Sequence, residues 1–214
     1  MANQTGEGNP PLALGCRHNS AMPSLEQTIA EVRACRLCAD HLPLGPRPIL
    51  RVDARLRVLI TGQAPGTRVH ASGLPWDDAS GDRLRQWMAL DREAFYDQSH
   101  YGVMAMGLCY PGKGRGGDLP PRPECAPLWH PRVRPLLPKL RLTLLIGRYA
   151  HLHYLDARGE TLEQTVRRWR EHLPRGYFPL PHPSPRNTLW LRRRPWFEEE
   201  VVPALREALV AALA

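Results

Sequence analysis

Apolar positions along the chain recur with two periods. Leu25, Ile29 and Val32 are spaced for one face of a helix, and Ser24 with Gln27 three residues on forms a capping box that marks its start. Residues 43–54 read as a proline-rich loop, and Leu56–Gly62 has strand composition, closing in the turn Gly62-Gln-Ala-Pro-Gly66. Leu84, Trp87, Met88 and Leu90 predict a helix from Gly81 to about Phe95. Val103–Cys109 reads as a second strand, Tyr110–Pro123 as a long loop, and Cys125–Leu140 as a helix interrupted by prolines. Leu142–Gly147 is apolar without alternation, as strands buried on both faces of a parallel sheet are. Helices follow near 148–155, where His151 and His153 read as surface positions, and near 160–172. A short strand, Tyr177–Leu180, leads into Pro181-His-Pro-Ser-Pro-Arg-Asn187, and an amphipathic helix over roughly 195–213 ends the chain.

Strands alternating with helices predict an α/β fold with a parallel sheet covered on both faces. With no internal repeat and no domain-sized linker, residues 23–214 read as one domain. Residues 1–22, rich in Gly, Pro, Asn and Ser without periodicity, read as a disordered or loosely packed lead-in. At 43% hydrophobic and 23% charged residues the chain has material for a full core, and collagen-like, coiled-coil and disulfide-scaffold classes are excluded. No stretch approaches the ~20 apolar residues of a membrane helix, and the N-terminus lacks a basic and an apolar targeting region. A cytoplasmic monomer, nucleoid-associated if bacterial, is the expectation.

Charge sharpens the choice of partner. Lys+Arg number 29 against 21 Asp+Glu, a formal +8, and Lys113 and Lys139 are the only lysines. Arginine's planar fork suits bidentate phosphate contacts, which points to nucleic acid, although high-GC codon usage yields the same richness. Cys35-x2-Cys38 with Cys109 and Cys125 supplies four thiolates, enough for a tetrahedral zinc or an iron–sulfur cluster; spacing does not choose between them. Cys16 reads as a free thiol. In a parallel sheet, ligands bind where strand C-termini give way to loops. Two such loops carry unusual chemistry: the glycines of Gly62–Gly66 permit close backbone approach, and two prolines stiffen the chain around His182, Ser184 and Arg186. Trp76 stands shortly after the first loop, and Trp190 and the run Leu191-Arg-Arg-Arg-Pro195 follow the second.

Gly62-Gln-Ala-Pro-Gly66 and His182-Pro-Ser-Pro-Arg-Asn187 resemble the two active-site motifs of the uracil-DNA glycosylase superfamily, and the nearest member type is family 4, which carries a four-cysteine [4Fe–4S] cluster. The ordered set Cys35/Cys38, Gly62–Gly66, Gly73-Leu-Pro-Trp76 with Gly81, Cys109, Cys125 and His182 matches that family's pattern over about residues 24–212. The resemblance implies a three-layer α/β/α sandwich around a four-stranded parallel sheet, and an enzyme that flips a deaminated nucleotide out of DNA and hydrolyses its N-glycosidic bond. It implies that Gly62, Ala64, Pro65, Gly66 and Ala105 line the base pocket and that Trp76 stacks on the flipped base. His182 would stabilise the departing base, and Ser184, Arg186 and Asn187 would enter the duplex. Cys35, Cys38, Cys109 and Cys125 would hold [4Fe–4S], with zinc as the alternative occupant. The HPSPRN form is closer to the single-strand-selective glycosylases, and Arg186 stands where other members place a leucine wedge.

Two positions depart from the family. The water-orienting acid of the first motif is Gln63 here, and an amide positions water without taking its proton; Asp77 and Asp78 are the substitutes within reach in sequence. The asparagine that reads the base edge is replaced by Ala105. Discrimination of uracil from cytosine needs such a polar group, so either another residue supplies it or the substrate range shifts toward deaminated purines. Two other classes compete: a lesion-binding protein of the same fold, non-catalytic or capturing the abasic site covalently, and a zinc-stabilised nucleotide- or RNA-binding module.

Overall fold

The computed structural model describes residues 23–214; the expectations for residues 1–22, Cys16 included, lie outside them. Among the described residues six strands are formed: β1 (Val58–Thr61), β2 (Tyr101–Val103), β3 (Lys113–Gly114), β4 (Gly117–Asp118), β5 (Leu142–Ile146) and β6 (Tyr177–Leu180). The α-helices are α1 (Leu25–Ala34), α2 (Thr67–Ser72), α3 (Ala79–Met88), α4 (Arg92–Phe95), α5 (Cys125–Val133), α6 (Arg148–Tyr154), α7 (Leu162–Arg167), α8 (Trp169–His172), α9 (Thr188–Arg192) and α10 (Val202–Leu213). Four strands make a parallel sheet in the order β2-β1-β5-β6, and β3 and β4 pair as a separate antiparallel hairpin.

Period-2 alternation sorts the sheet residues onto two buried faces. Val58 and Ile60 of β1, Leu142, Leu144 and Ile146 of β5 and Phe178 and Leu180 of β6 face Leu84 and Trp87 of α3 and Leu205 and Leu209 of α10. Leu59, between them on β1, turns the other way onto Val32 of α1 and Trp129 and Val133 of α5. The expected three-layer α/β/α sandwich is formed. Helix α1 begins where its sequence says: Ser24 Oγ accepts from the Gln27 backbone and Gln27 Oε1 accepts from the Ser24 backbone.

Several boundaries differ from the sequence reading, each for a local reason. The second strand is Tyr101–Val103 rather than Val103–Cys109. Past Val103 the chain follows the first loop, with Met106 and Gly107 N–H donating to Gly62 and Gln63 carbonyls at 2.9 Å each. Its apolar residues are buried by helices: Met104 and Leu108 pack in one cluster with Val32 of α1 and Trp129 and Val133 of α5, and Met106 packs with Ala126 of α5 and Ala150 of α6, so the apolar run has the composition of a strand. The loop Tyr110–Pro123 contains the β3–β4 hairpin. The helix expected over 81–95 starts at Ala79 and stops at Met88, where Ala89 takes φ +54°, and Asp91 caps a new turn, α4. The stretch 160–172 divides into α7 and α8, and the last helix is preceded by a π-helical turn, Phe197–Val201. His151 is not on the surface: it is 2% exposed and its Nε2–H donates to the Leu145 carbonyl at 2.9 Å. His153 is exposed, as expected. Among the described residues no helix is long and apolar enough to cross a membrane.

Candidate active site

Every strand of the sheet delivers its C-terminus to one end of the molecule. There β1 runs into Gly62–Gly66, β2 into the segment carrying Ala105, and β6 into the histidine loop. With the α2–α3 connection and the β3–β4 hairpin these enclose a cleft of about 380 Å³. Gly62, Gln63, Ala64, Pro65, Gly66, Trp76, Ala105, His182, Ser184, Arg186 and Asn187 all line it. The structure therefore brings together the pocket and loop residues singled out in the sequence.

Two glycines seat Trp76. A Cβ on Gly62 would lie 2.8 Å from Trp76 Cζ2, so the indole packs directly on the backbone of the first loop. A Cβ on Gly81 would lie 1.7 Å from the Trp76 carbonyl oxygen, so helix α3 approaches that peptide to a distance only glycine permits. Arg85 Nη1 donates to the same oxygen at 3.2 Å. Trp76 itself takes φ +59°, a strained backbone for a bulky residue that these contacts hold in place. Its ring centroid is 5.6 Å from that of His182, with the planes 35° apart.

The hydrogen bonds of His182 define its tautomer. The Ser184 backbone N–H donates to Nδ1 at 3.2 Å, which makes Nδ1 an acceptor and leaves the proton on Nε2. Burial holds its pKa below the ordinary imidazole value against a smaller opposing pull from Asp78, so the ring is neutral at pH 7. The loop is fixed from within and without. Asn187 Nδ2 donates to the His182 carbonyl at 2.8 Å, and Arg83 of α3 donates to the Ser184 carbonyl at 3.1 Å and to Thr188 Oγ1 at 3.0 Å. Arg186 is exposed and reaches across the cleft mouth to donate from Nη1 to the Gly116 carbonyl at 2.5 Å.

The polar groups near the first loop divide by role. Gln63 Nε2 donates to the Leu119 carbonyl at 3.0 Å, tying the loop to the end of the hairpin. Asp77 is paired with Arg92 at 2.9 Å and is absent from the cleft lining, whereas Asp78 lines the cleft and caps α3 by accepting from Gly81 N–H at 2.9 Å. Ala105 sits beside Val103 and Ile49, making that wall apolar. Its carbonyl accepts from His130 Nε2 at 3.1 Å, while His130 Nδ1 accepts from the Tyr154 hydroxyl. Burial pushes the His130 pKa down to about 4, which keeps this neutral arrangement. His130, Arg83 and Asp118 were not legible as site residues: each reaches the site from an element whose placement no local pattern records.

A second cavity is lined by all four cysteines of the sequence pattern, with Arg122 and Trp129 among its walls. Cys35 caps α1, Cys38 is in the turn behind it, Cys109 ends the segment after β2, and Cys125 opens α5. Leu108 N–H donates to Cys125 Sγ at 3.3 Å. Burial pushes the Cys109 and Cys125 thiols up to about 11 and about 12. Among the described residues, no three His, Cys, Asp or Glu side chains are gathered tightly enough to hold a metal ion. The arginine run after the histidine loop splits: Arg194 pairs with Glu163 at 2.6 Å and lies over Trp190, and Arg192 and Arg193 are exposed.

A cleft of small-molecule size at the C-terminal ends of parallel strands, walled by an aromatic ring, a neutral imidazole and a glycine-bounded turn, defines an α/β protein with a candidate ligand site where that architecture places one. Residues 51–206 match the family model described as the Uracil DNA glycosylase superfamily. The chain belongs to that superfamily, whose members are DNA glycosylases.

Proposed function

We propose that this chain is a monofunctional glycosylase that flips uracil out of DNA and hydrolyses its N-glycosidic bond, leaving an abasic site. The observation that carries the reading is the convergence of Trp76, His182 and Gly62–Gly66 on one cleft. Trp76 stacks on the extruded base. As the C1′–N1 bond breaks, its electron pair leaves with the base and charge gathers on O2. The Nε2–H of neutral His182 stabilises that charge where it develops, without full proton transfer. The DNA's phosphates stabilise the sugar cation, and water adds to C1′. The loop Ser184–Asn187 enters the helix and occupies the space that the base leaves, with Arg186 supplying phosphate or base contacts.

The test is direct. The full chain is incubated with labelled duplex and single-stranded oligonucleotides carrying uracil, hypoxanthine or xanthine, abasic sites are cleaved with alkali, and His182→Ala is run alongside. Breaks at uracil that the variant loses support the reading. Binding without breaks moves the assignment to a lesion-binding protein. The apolar wall at Ala105 favours a second reading, deaminated purines, which breaks confined to hypoxanthine or xanthine would establish.

Cys35, Cys38, Cys109 and Cys125 are proposed to hold a [4Fe–4S] cluster within a single domain over residues 23–214. What supports this is the donor set: four thiols line one cavity. The four thiolates would hold the cluster, which would supply a covalent tie between the end of α1 and the start of α5. A brown protein with a sulfur-to-iron visible band and stoichiometric iron supports the cluster; a colourless protein containing zinc replaces it.

A further inference from the structure

The proposed reaction needs an acceptor for the proton of the attacking water, and the first loop carries an amide where that acceptor is expected. The Gln63 side-chain amide donates to the carbonyl of Leu119, the residue after Asp118, at 3.0 Å. That bond, with Leu119 N–H donating to the Gly112 carbonyl at 2.8 Å and Arg186 donating to Gly116, fixes the β3–β4 hairpin against the first loop. The consequence is the position of the Asp118 carboxylate. It lines the same cleft as Trp76 and His182, and a Cβ built on Gly66 would lie 3.3 Å from its Oδ2. A carboxylate therefore stands over the first loop, delivered by a hairpin fifty residues later in the chain.

We propose that Asp118 is the catalytic residue that orients the attacking water and takes its proton, and that Gln63 is a positioning residue acting through the Leu119 carbonyl. The proposal rests on the glycosylase reading above. The step balances as follows. The C1′–N1 bond breaks and its electron pair departs with the uracil anion, water oxygen bonds to C1′, and the water proton passes to an Asp118 oxygen. The proton is later returned to solvent or to the released base. The charged groups facing Asp118 are Arg186 from the histidine loop, Lys113 across the hairpin and Asp78 from the start of α3. Asp118 is exposed on the hairpin, and desolvation of its carboxyl, opposed by Arg186 and Lys113, raises its pKa above the ordinary carboxylate value.

The experiment is single-turnover cleavage of uracil-containing DNA by the full chain, from pH 4.5 to 8, for the parent protein, Asp118→Asn, Asp118→Ala and Gln63→Ala. Asp118→Asn is expected to cleave about 10²–10³-fold more slowly while binding a non-cleavable 2′-fluorouridine oligonucleotide as the parent does. Its acidic limb loses the proton that Asp118 contributes, leaving that of His182. Formate is expected to restore part of the rate to Asp118→Ala and none to His182→Ala. Gln63→Ala is expected to lower the rate but keep the full acidic limb, since the Asp118 carboxylate is displaced and not removed. Parent-like rates and pH profile in Asp118→Asn overturn the assignment while the glycosylase reading stands. A slow variant with an unchanged limb and no formate rescue also overturns it, reducing Asp118 to a structural hairpin residue. A parent protein that binds but cleaves no deaminated base overturns the glycosylase reading, and this assignment with it.

Discussion

Replacing Gly81 with alanine tests the backbone contact that seats the proposed stacking platform. The new Cβ would lie 1.7 Å from the Trp76 oxygen, 2.6 Å from its carbonyl carbon and 3.0 Å from its Cα, all main-chain atoms without a rotamer to yield. Relief requires the Trp76 peptide and the first turn of α3 to separate by more than 1 Å, which also stretches the bond from Gly81 N–H to Asp78. Overpacking of this kind costs about 1–3 kcal/mol, and losing the cap costs about 1 kcal/mol. Alanine returns roughly 1 kcal/mol through its better helix propensity. The net expectation is a loss of about 1–3 kcal/mol in urea unfolding. Because displacing a reacting partner by ~1 Å costs on the order of 10²-fold in rate, uracil excision is expected to fall by that factor at temperatures where the variant is folded. Gly116→Ala is the control: its Cβ would meet nothing within 4 Å, and its stability is expected to stay within about 0.5 kcal/mol of the parent. A Gly81→Ala protein of parental stability and activity would refute the reasoning, since the Trp76 peptide would then not depend on this approach.

Four further outcomes follow from the same geometry. His182→Ala is expected to lose about 10²–10³-fold in single-turnover excision while keeping its urea midpoint and its affinity for abasic-site DNA. His130 and His151 are buried neutral with pKa values of about 4, so the unfolded chain, with histidines near 6.5, binds more protons than the native one between pH 6.5 and 4. Stability is therefore full above about pH 6.5 and falls by roughly 1.4 kcal/mol per pH unit for each histidine as pH drops toward 4, which urea melts at pH 7.5 and 5 will measure. Under the cluster assignment proposed above, Cys125→Ser is expected to lower iron content and the visible band together and to reduce the melting temperature, because the cluster's tie between α1 and α5 would be lost. Ala105→Asn is expected to shift excision toward uracil over hypoxanthine by about 10-fold or more, by adding a polar group to the apolar wall; an unchanged preference removes Ala105 from base selection.

Much of the fold was legible because its signals are local. The capping box at Ser24, the unalternating apolar run of β5 and the glycine turn after β1 state their own structure within a few residues. The errors arose where burial had a tertiary cause. Residues 103–109 look like a strand because they are apolar, yet they are apolar because Met104, Met106 and Leu108 pack under helices α1, α5 and α6 after the sheet pairing has ended. His151 looks like a helix-surface residue because its partner, the Leu145 carbonyl, lies on the neighbouring strand. The hairpin within 110–123 escaped notice because its strands are two residues each and glycine-rich, too short for any periodicity.

The sequence by itself determined the layer architecture, the two loops at the sheet's C-terminal end and the residue types they carry, since strand and helix periods and turn chemistry depend on neighbours along the chain. Only the tertiary structure decided how those residues work together. Gly81 is required by the Trp76 carbonyl and not by its own helix, the tautomer of His182 is set by the Ser184 N–H, and Gln63 is engaged by Leu119 from a hairpin that also carries Asp118 to the cleft. Each of these depends on which distant backbone lies within hydrogen-bonding or van der Waals range, and that is fixed only when the sheet assembles and its strand ends meet.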